Sequence, residues 1–212
     1  MLDFHSHLPS EDSICCTDIP VIPAGKSLMT CEGLLPDKWT PLNQIKLMDD
    51  LAENPALHVG EVGLDRRFEN ILCIENQEKI LTEILQFAVA KDRCVSLHCV
   101  RATEPMLRIL QTLRFRPYSI LWHGFTGSIE TAKQLSRLGV MISIGPRYRG
   151  SVKDLYTVNS HLVPETDYTL ADAAEHERIL MSQYSRFEEE LGLSSQELKK
   201  HTCDMLTAFR GF

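Results

Sequence analysis

Short apolar runs alternate with longer amphipathic stretches along this chain, and the alternation predicts its elements. Eight runs have the length and the β-branched or aromatic content typical of strands. Eight is also the number of strands in a closed α/β barrel. The predicted strands lie within residues 2–8, 13–25, 27–35, 56–64, 94–100, 118–125, 139–145 and 161–167.

The stretches between these runs have the apolar spacing of helices. Thr40 followed by Pro41 is a helix-start signal, Ser194 with Glu197 forms a capping box, and Gly139 is typical of a helix end. Strand and helix in alternation predict a parallel sheet. The predicted helices span residues 40–52, 76–92, 103–113, 128–139 and 194–209.

Two parallel folds fit this order, an eight-stranded barrel and a doubly wound open sheet. No glycine-rich phosphate loop follows the first strand, which disfavours the nucleotide-binding open sheet. We therefore predict a TIM (β/α)8-like barrel. Residues 8–40 are too few for two complete βα units, so we expect the barrel to be shortened there. With no repeat or linker, residues 1–212 are interpreted as one domain.

The composition and the first residues of the chain indicate where in the cell the protein is expected. Hydrophobic residues make up 43% of the chain, yet no apolar run is long enough to cross a membrane. The first residues lack the basic and apolar regions of a signal peptide, so we expect a cytoplasmic protein. The seven cysteines follow neither zinc-ribbon nor redox spacing, and we interpret them as reduced packing residues.

The net charge of −7 argues against a protein that binds nucleic acid along its phosphates, because such proteins are normally basic. It argues less against an enzyme that takes only a strand end, or that meets an anionic substrate through metal ions.

Metal-binding side chains stand at the predicted strand ends. His5 and His7 are two positions apart in the first strand, so their rings share one face. In a parallel barrel the carboxyl ends of the strands converge on one mouth. The set that would meet there comprises His5, His7, Glu61, His98, His123 and Asp167.

Four imidazoles and two carboxylates are suitable ligands for Zn²⁺, Mn²⁺ or similar ions. Six ligands are too many for one catalytic ion with an open position, but they suit two ions about 3.5–4 Å apart that share a water. Burying six polar side chains without a cation would be costly. We therefore predict a two-metal site, with the metals Mg, Mn or Zn.

Several segments, in order along the chain, resemble the TatD-type metal-dependent deoxyribonucleases of the amidohydrolase superfamily. The opening FHSH is similar to the family's DxHxH-type start, and GEVGLD at 60–65 to its GEIGLD. The other similar segments are 77–101 ending in SLHCVR, HGFTGS at 123–128, ISIGP, ETD at 165–167 and the closing ELGLSSQELKKHTCDMLTAFRG.

The resemblance implies a ligand assignment and an activity. His5, His7 and Asp167 would hold one ion, His98 and His123 the other, and Glu61 would bridge them. Asp167 would also orient or deprotonate the attacking water. Asp167 and Glu61 are therefore the two residues expected to be catalytic, the first through this water and the second as the bridge between the ions. The implied reaction is hydrolysis of phosphodiester bonds in DNA from the 3′ end, on single-stranded or 3′-terminal substrate.

The chain also departs from the family pattern. It is shorter at 8–40 and 168–178, lacks the Pro that usually follows ETD, and has Leu35 where a histidine is common. All six predicted ligands are present despite these departures. The departures bear instead on which substrate the site would accept.

Other polar residues are predicted to support the site. Asp65 could hydrogen-bond a ligand imidazole, and Arg101, three positions after His98, could contact a phosphate. The segment 145–153 follows the seventh strand, where barrels commonly bind phosphate. It offers Arg147, Arg149 and Lys153 for charge and Tyr148 for stacking; Trp39 and Tyr168 are further stacking candidates.

Two alternative functions stay open from the sequence. The same ions could polarise the carbonyl of an ester, lactone or amide. The barrel could instead serve as a metal-binding subunit for a partner protein, and the sequence does not identify such a partner.

Overall fold

The computed structural model describes residues 1–18 and 26–211. Within these residues, eight parallel strands form one sheet in which each strand pairs with the next along the chain. This is the strand order of a βα barrel, and the predicted fold class is confirmed. The strands are β1 (Asp3–Ser6), β2 (Ser13–Asp18), β3 (Met29–Leu34), β4 (His58–Asp65), β5 (Val95–Val100), β6 (Ile120–Trp122), β7 (Met141–Ile144) and β8 (Leu162–Pro164).

Helices follow strands from β3 onward. Side-chain caps fix several helix starts: Thr40 accepts a hydrogen bond from the N–H of Asn43, and Ser194 forms the predicted capping box with Glu197. None of the helices in the described ranges is long and apolar enough to cross a membrane. The helices are α1 (Pro41–Glu53), α2 (Ile74–Ala90), α3 (Thr103–Thr112), α4 (Ile129–Arg137), α5 (Val152–Val158), α6 (Ala173–Leu191) and α7 (Ser195–Arg210).

Two of these helices, α5 and α6, are absent from the sequence prediction. Helix α6 is 19 residues long, and its charged residues obscure a narrow apolar face that includes Leu180, Tyr184 and Phe187. Asp172 caps it by accepting hydrogen bonds from two backbone N–H groups. The cap and the three- to four-residue spacing of the buried side chains were the available signals.

The early part of the barrel is shortened, as predicted. Residues 7–12 connect β1 to β2 without a helix, although parallel neighbours usually need a crossover of a dozen residues or more. The second predicted strand run extended to residue 25, but β2 ends at Asp18, and residues 19–25 lie outside the described part of the chain.

The two ends of the sheet meet through the residues that follow β8. The backbone N–H of Asp167 donates to the carbonyl of His5 at 3.0 Å, and the N–H of His7 donates to the carbonyl of Tyr168 at 2.8 Å. These bonds bring the last strand end against the first, so that residues far apart in sequence share the same mouth.

Apolar packing supports the ring of strands in two clusters. The larger cluster joins the strands to the helices around them and includes Leu64, Leu85 and Phe187. The smaller one gathers side chains of six strands with Phe209 of α7. The polar residues at the mouth are therefore supported by a closely packed apolar core.

Candidate metal centre

The six predicted ligands come together at one end of the barrel. His5 and His98 lie in strands, and His7 and His123 each come directly after one. Glu61 is in the middle of β4 rather than at its end, and Asp167 comes three residues after β8. All six are buried or nearly so; His7, at 20%, has the most exposed side chain.

The Glu61 carboxylate lies between two pairs of histidines. Its Oε2 is 3.3 Å from Nε2 of His7 and 3.7 Å from Nε2 of His5. Its Oε1 is 2.6 Å from Nε2 of His123 and also contacts Nδ1 of His98. One carboxylate therefore turns one oxygen to each pair.

Asp167 completes the side of the centre formed by His5 and His7. Its Oδ1 lies 3.7 Å from Nε2 of His7 and 3.8 Å from Nε2 of His5. Its Oδ2 accepts a hydrogen bond from Arg147. The φ angle of Asp167 is 51°, in the left-handed region, so the carboxylate depends on an unusual backbone conformation.

Three groups of side chains are close enough to share an ion, each with ligand atoms within 4.8 Å of one another. Within the described ranges, Nε2 of His5 is buried and has no hydrogen-bond partner. A buried nitrogen without a partner is costly, and a cation among these atoms would satisfy it. The groups are His5–His7–Glu61, His5–His123–Asp167 and Glu61–His98–His123.

The charges of these groups shift one another's pKa values strongly. Burial alone would raise the pKa of Glu61, but His123 and the other imidazoles hold it well below its usual value. Burial would lower the pKa of His123, yet Glu61 and Glu165 raise it to about 10. For His98, hydrogen bonds with Asp65 and Glu61 likewise outweigh burial and raise the pKa to about 9. The carboxylates thus attract either protons or a cation to this centre.

Glycines allow the strands to approach closely around Glu61. A Cβ at Gly33 would lie 2.1 Å from the backbone oxygen of Glu61, and one at Gly63 would lie 1.8 Å from that of His98. Any side chain at these positions would force β3, β4 and β5 apart. Gly33 in β3 and Gly63 in the GEVGLD segment thus allow the predicted ligands to come together.

Two of the imidazoles predicted to bind metal have polar partners on their far sides. Oδ2 of Asp65 lies 3.0 Å from Nε2 of His98, which places the predicted Asp65 against a ligand ring. Nδ1 of His5 lies 2.9 Å from Oγ of Ser96, a residue the sequence analysis did not select. Such partners fix the ring orientation and the tautomer of a ligand histidine.

Arg101 and Arg147 line a cavity of about 440 Å³ at the mouth, next to the ligands. Arg67 and Leu35 line it too. Arg149 and Lys153 are exposed and are not among the lining residues. The cationic lining therefore comes from three loops rather than from the segment 145–153 alone.

The aromatic residues expected to stack on a base are placed differently. Tyr148 is 7% exposed and its hydroxyl donates to the carbonyl of Ser151, while Tyr168 is 6% exposed. Both rings are packed inside, so the expectation of a stacking role is wrong for them. Trp39 is half-buried and donates from Nε1 to Gln44.

Comparison with known proteins gives a family match over most of the chain. The sequence model described as "TatD related DNase" matches residues 23–207. The 3'-5' RNA nuclease TATDN2 of Homo sapiens is 30% identical over 99 residues, 47% of this chain and 13% of that protein. The uncharacterized metal-dependent hydrolase YjjV of Escherichia coli K12 is 33% identical over 115 residues, 53% of this chain and 43% of that protein. The matches thus span less than half the length of either relative.

Solved structures agree on the fold. The crystal structure of the TatD homologue YjjV from E. coli superposes with a TM-score of 0.72 at 23% identity, covering 85% of this chain and 76% of that one. An uncharacterized amidohydrolase from Saccharomyces cerevisiae gives a TM-score of 0.52 at 15% identity, covering 86% and 71% of the two chains.

Proposed function

This chain belongs to the TatD-related DNase family, and from that premise we propose that it is a metal-dependent hydrolase. We propose further that it cleaves phosphodiester bonds in DNA from a strand end, with two divalent ions at the cluster of histidines and carboxylates.

The position of Glu61 carries this proposal. A carboxylate with one oxygen toward His5 and His7 and the other toward His98 and His123 is suited to bridge two ions. A single structural ion would need neither the second histidine pair nor a shared carboxylate.

The residues fit such a pair of ions. His5, His7 and Asp167 would hold one ion, His98 and His123 the other, and Glu61 would contact both. The unpartnered Nε2 of His5 supports this, since neutral imidazole nitrogen is a favourable ligand for Mn²⁺ or Zn²⁺. When bound, the two ions would lower the pKa of a water and offset the charge that develops on the phosphate.

The chain's own residues supply the remaining steps. Asp167, at the edge of the centre and 15% exposed, is placed to orient the attacking water and accept its proton. Arg101 lines the adjoining cavity and can hold the phosphodiester by two N–H groups. Arg147 also lines it, and because its Nη2 donates to Asp167, its remaining N–H groups are the ones that can contact the same phosphate. Arg67 is occupied by Asp65 and serves to hold that carboxylate against His98.

A strand end suits this mouth better than a continuous duplex. The net charge of −7 disfavours a long phosphate-binding surface, whereas the cavity of about 440 Å³ has a local cationic lining. Since the Homo sapiens relative is named an RNA nuclease, RNA is the competing polymer, and the assay includes it.

The test is a nuclease assay with metal titration on the purified chain. Matched single-stranded DNA and RNA oligomers, labelled at the 5′ or at the 3′ end, are incubated with Mg²⁺, Mn²⁺ or Zn²⁺. We expect stepwise shortening of DNA from its 3′ end, abolished by EDTA and restored by added metal. Asp167→Asn should lower kcat by about 100-fold or more, the scale of a lost general base.

The controls separate the alternatives. Asp204→Asn on the exposed face of α7 should leave the rate unchanged. Cleavage that persists in EDTA, or equally in Asp167→Asn, would contradict the proposal. A panel of small esters and lactones tests the alternative that the chain hydrolyses a carbonyl compound. Hydrolysis of these compounds without cleavage of nucleic acid would favour that alternative.

A further inference from the structure

A buried carboxylate at the start of β1 joins the Asp167 segment to helix α6. Asp3 is 1% exposed, and its Oδ1 accepts from the backbone N–H groups of Thr166 at 3.0 Å and His5 at 3.3 Å. Its Oδ2 accepts from the Thr166 hydroxyl at 2.6 Å and from Nε2 of His176 at 2.8 Å. A carboxylate offers about four acceptor positions, so Asp3 has a full set of donors.

These donors belong to the backbone that carries the metal centre. Thr166 directly precedes Asp167, and Asp3 fixes both its N–H and its hydroxyl. The Thr166 hydroxyl oxygen in turn accepts from the N–H of Tyr168 at 3.2 Å, so hydrogen bonds hold Asp167 on both sides. The left-handed conformation of Asp167 persists only because its surroundings hold it.

We propose that Asp3 and His176 are positioning residues that, through Thr166, orient the Asp167 carboxylate toward the ion it would share with His5 and His7. The inference rests on the proposed function, since it assumes that the centre binds metal.

We call the hydrogen-bonded chain from His176 through Asp3 and Thr166 to Asp167 the relay. His176 is its outer end. It lies in the first turns of α6, is 7% exposed, and must donate from Nε2 because an ionised carboxylate can only accept. Without it, the Asp3 oxygen that holds the Thr166 hydroxyl loses its second donor. Nothing in the sequence links His176 to Asp3, which is 173 positions away.

The relay serves one side of the centre. Asp3 and His176 contact the segment around His5 and Asp167, whereas His98 has its own partner in Asp65, 3.0 Å away. Loss of His176 should therefore weaken one ion and spare the other. A general loss of packing would not discriminate between them.

Helix α7 offers a matched control. Nε2 of His201 donates to the carbonyl of Leu162 in β8 at 2.9 Å. This bond likewise ties a helix histidine to a strand, but the strand is β8 rather than β1, and the bond does not reach the residues that hold Asp167. His201→Leu thus removes a comparable hydrogen bond without touching the relay.

The experiment measures binding of Mn²⁺ alone by calorimetry, in two backgrounds that each keep one side of the centre. In His98→Asn, the side of His5 and Asp167 remains, and adding His176→Leu should weaken Mn²⁺ binding about 10–100-fold. In His7→Asn, the side of His98 and His123 remains. Adding His176→Leu there should change the Mn²⁺ affinity by no more than about twofold, which is less than the roughly 10-fold loss expected when a ligand loses its hydrogen-bond partner. His201→Leu should stay within that limit in both backgrounds.

Two further variants keep the result interpretable. His176→Gln restores an N–H donor and should recover part of the affinity. Thr166→Val removes only the hydroxyl and should reproduce the one-sided loss, even if His176→Leu does not fold. Thermal unfolding of each variant confirms that the measured chain is folded.

The outcomes separate the inference from the function on which it rests. Equal weakening on both sides, or a loss no greater than that of His201→Leu, would overturn the relay while leaving metal-dependent hydrolysis intact. Failure of the unaltered chain to bind Mn²⁺ at all would overturn the proposed function and the relay together.

Discussion

Asp65 and His98 form a carboxylate–imidazole pair in which Oδ2 of Asp65 lies 3.0 Å from Nε2 of His98. Arg67 holds the same carboxylate through its backbone N–H and its guanidinium. Burial alone would raise the pKa of Asp65, but the hydrogen bond with His98, followed by those with Arg67, keeps it well below its usual value. Asp65 therefore stays ionised and keeps the opposite nitrogen of His98 directed at Glu61.

This pair predicts a metal-affinity effect at a residue that is not itself a ligand. Asp65→Ala should weaken Mn²⁺ binding about 10–100-fold, because the His98 ring loses the group that orients it. Calorimetric titration measures the change, with Asp204→Ala on α7 as a surface control. Unchanged affinity in Asp65→Ala would show that the ring is held by its ligand contacts alone.

The lining of the mouth predicts a separation of substrate binding from catalysis. Arg101→Gln should raise KM for a single-stranded oligomer about tenfold with kcat little changed, a loss of about 1.4 kcal/mol in binding. Lys153→Gln is the matched control, because Lys153 is a predicted phosphate contact that does not line the cavity. Steady-state kinetics over a range of salt concentrations tests both, and equal effects of the two variants would contradict the assignment.

The close approach of β4 to β5 predicts an unusually sensitive glycine. Gly63→Ala should destabilise the fold by about 1–3 kcal/mol and weaken Mn²⁺ binding, because its Cβ would collide with the His98 backbone. Gly192→Ala is the comparison: its φ is 66° but nothing lies within 4 Å of an added Cβ. There we expect a cost of about 1 kcal/mol and unchanged Mn²⁺ affinity. Denaturant unfolding and metal titration distinguish the two sites.

A histidine away from the centre predicts a pH effect on stability. His58 lies partly buried at the start of β4, where its Nδ1 accepts from the N–H of Cys94 at 3.1 Å. Burial first, then Arg93 and other arginines, lower its pKa from 6.5 to about 4. Between these values the unfolded chain binds a proton that the folded chain does not, so stability rises with pH across that window.

The corresponding variant is His58→Asn, which keeps an acceptor for Cys94 but does not titrate. From pH 7.5 to pH 5 the unaltered chain should lose about 1–2 kcal/mol more unfolding free energy than the variant, after allowance for solvent screening. Urea unfolding at both pH values measures the difference. Parallel pH profiles of the two chains would assign the effect to other groups.

That the six side chains meet at one mouth could be predicted because strand periodicity and approximate strand ends are local properties. His5 and His7 share a face by spacing alone, and the barrel order brings Glu61 and His98 to the same mouth. The sequence thus indicated a shared mouth, but not that Glu61 lies in the middle of β4 or that Asp167 comes three residues after β8.

Other features depend on contacts that the sequence does not encode locally. The bond between Asp3 and His176 joins residues 173 positions apart. Helix α6 was missed because its charged residues dilute the apolar period. Tyr148 was expected to face substrate because it lies between two arginines, yet a loop ring can turn inward as easily as outward, and this one packs in the core.

The bonds between β1 and the segment after β8 also set the order in which the mouth can form. Thr166 and Asp3 are 163 positions apart, so their contact closes a loop of nearly the whole barrel, and closing long loops costs chain entropy. A chain still emerging from the ribosome would carry His5 and His7 early but lack Asp167 until most strands had been made. The pocket between β1 and the segment after β8 would therefore be among the last parts to assemble, after the apolar core that supports it.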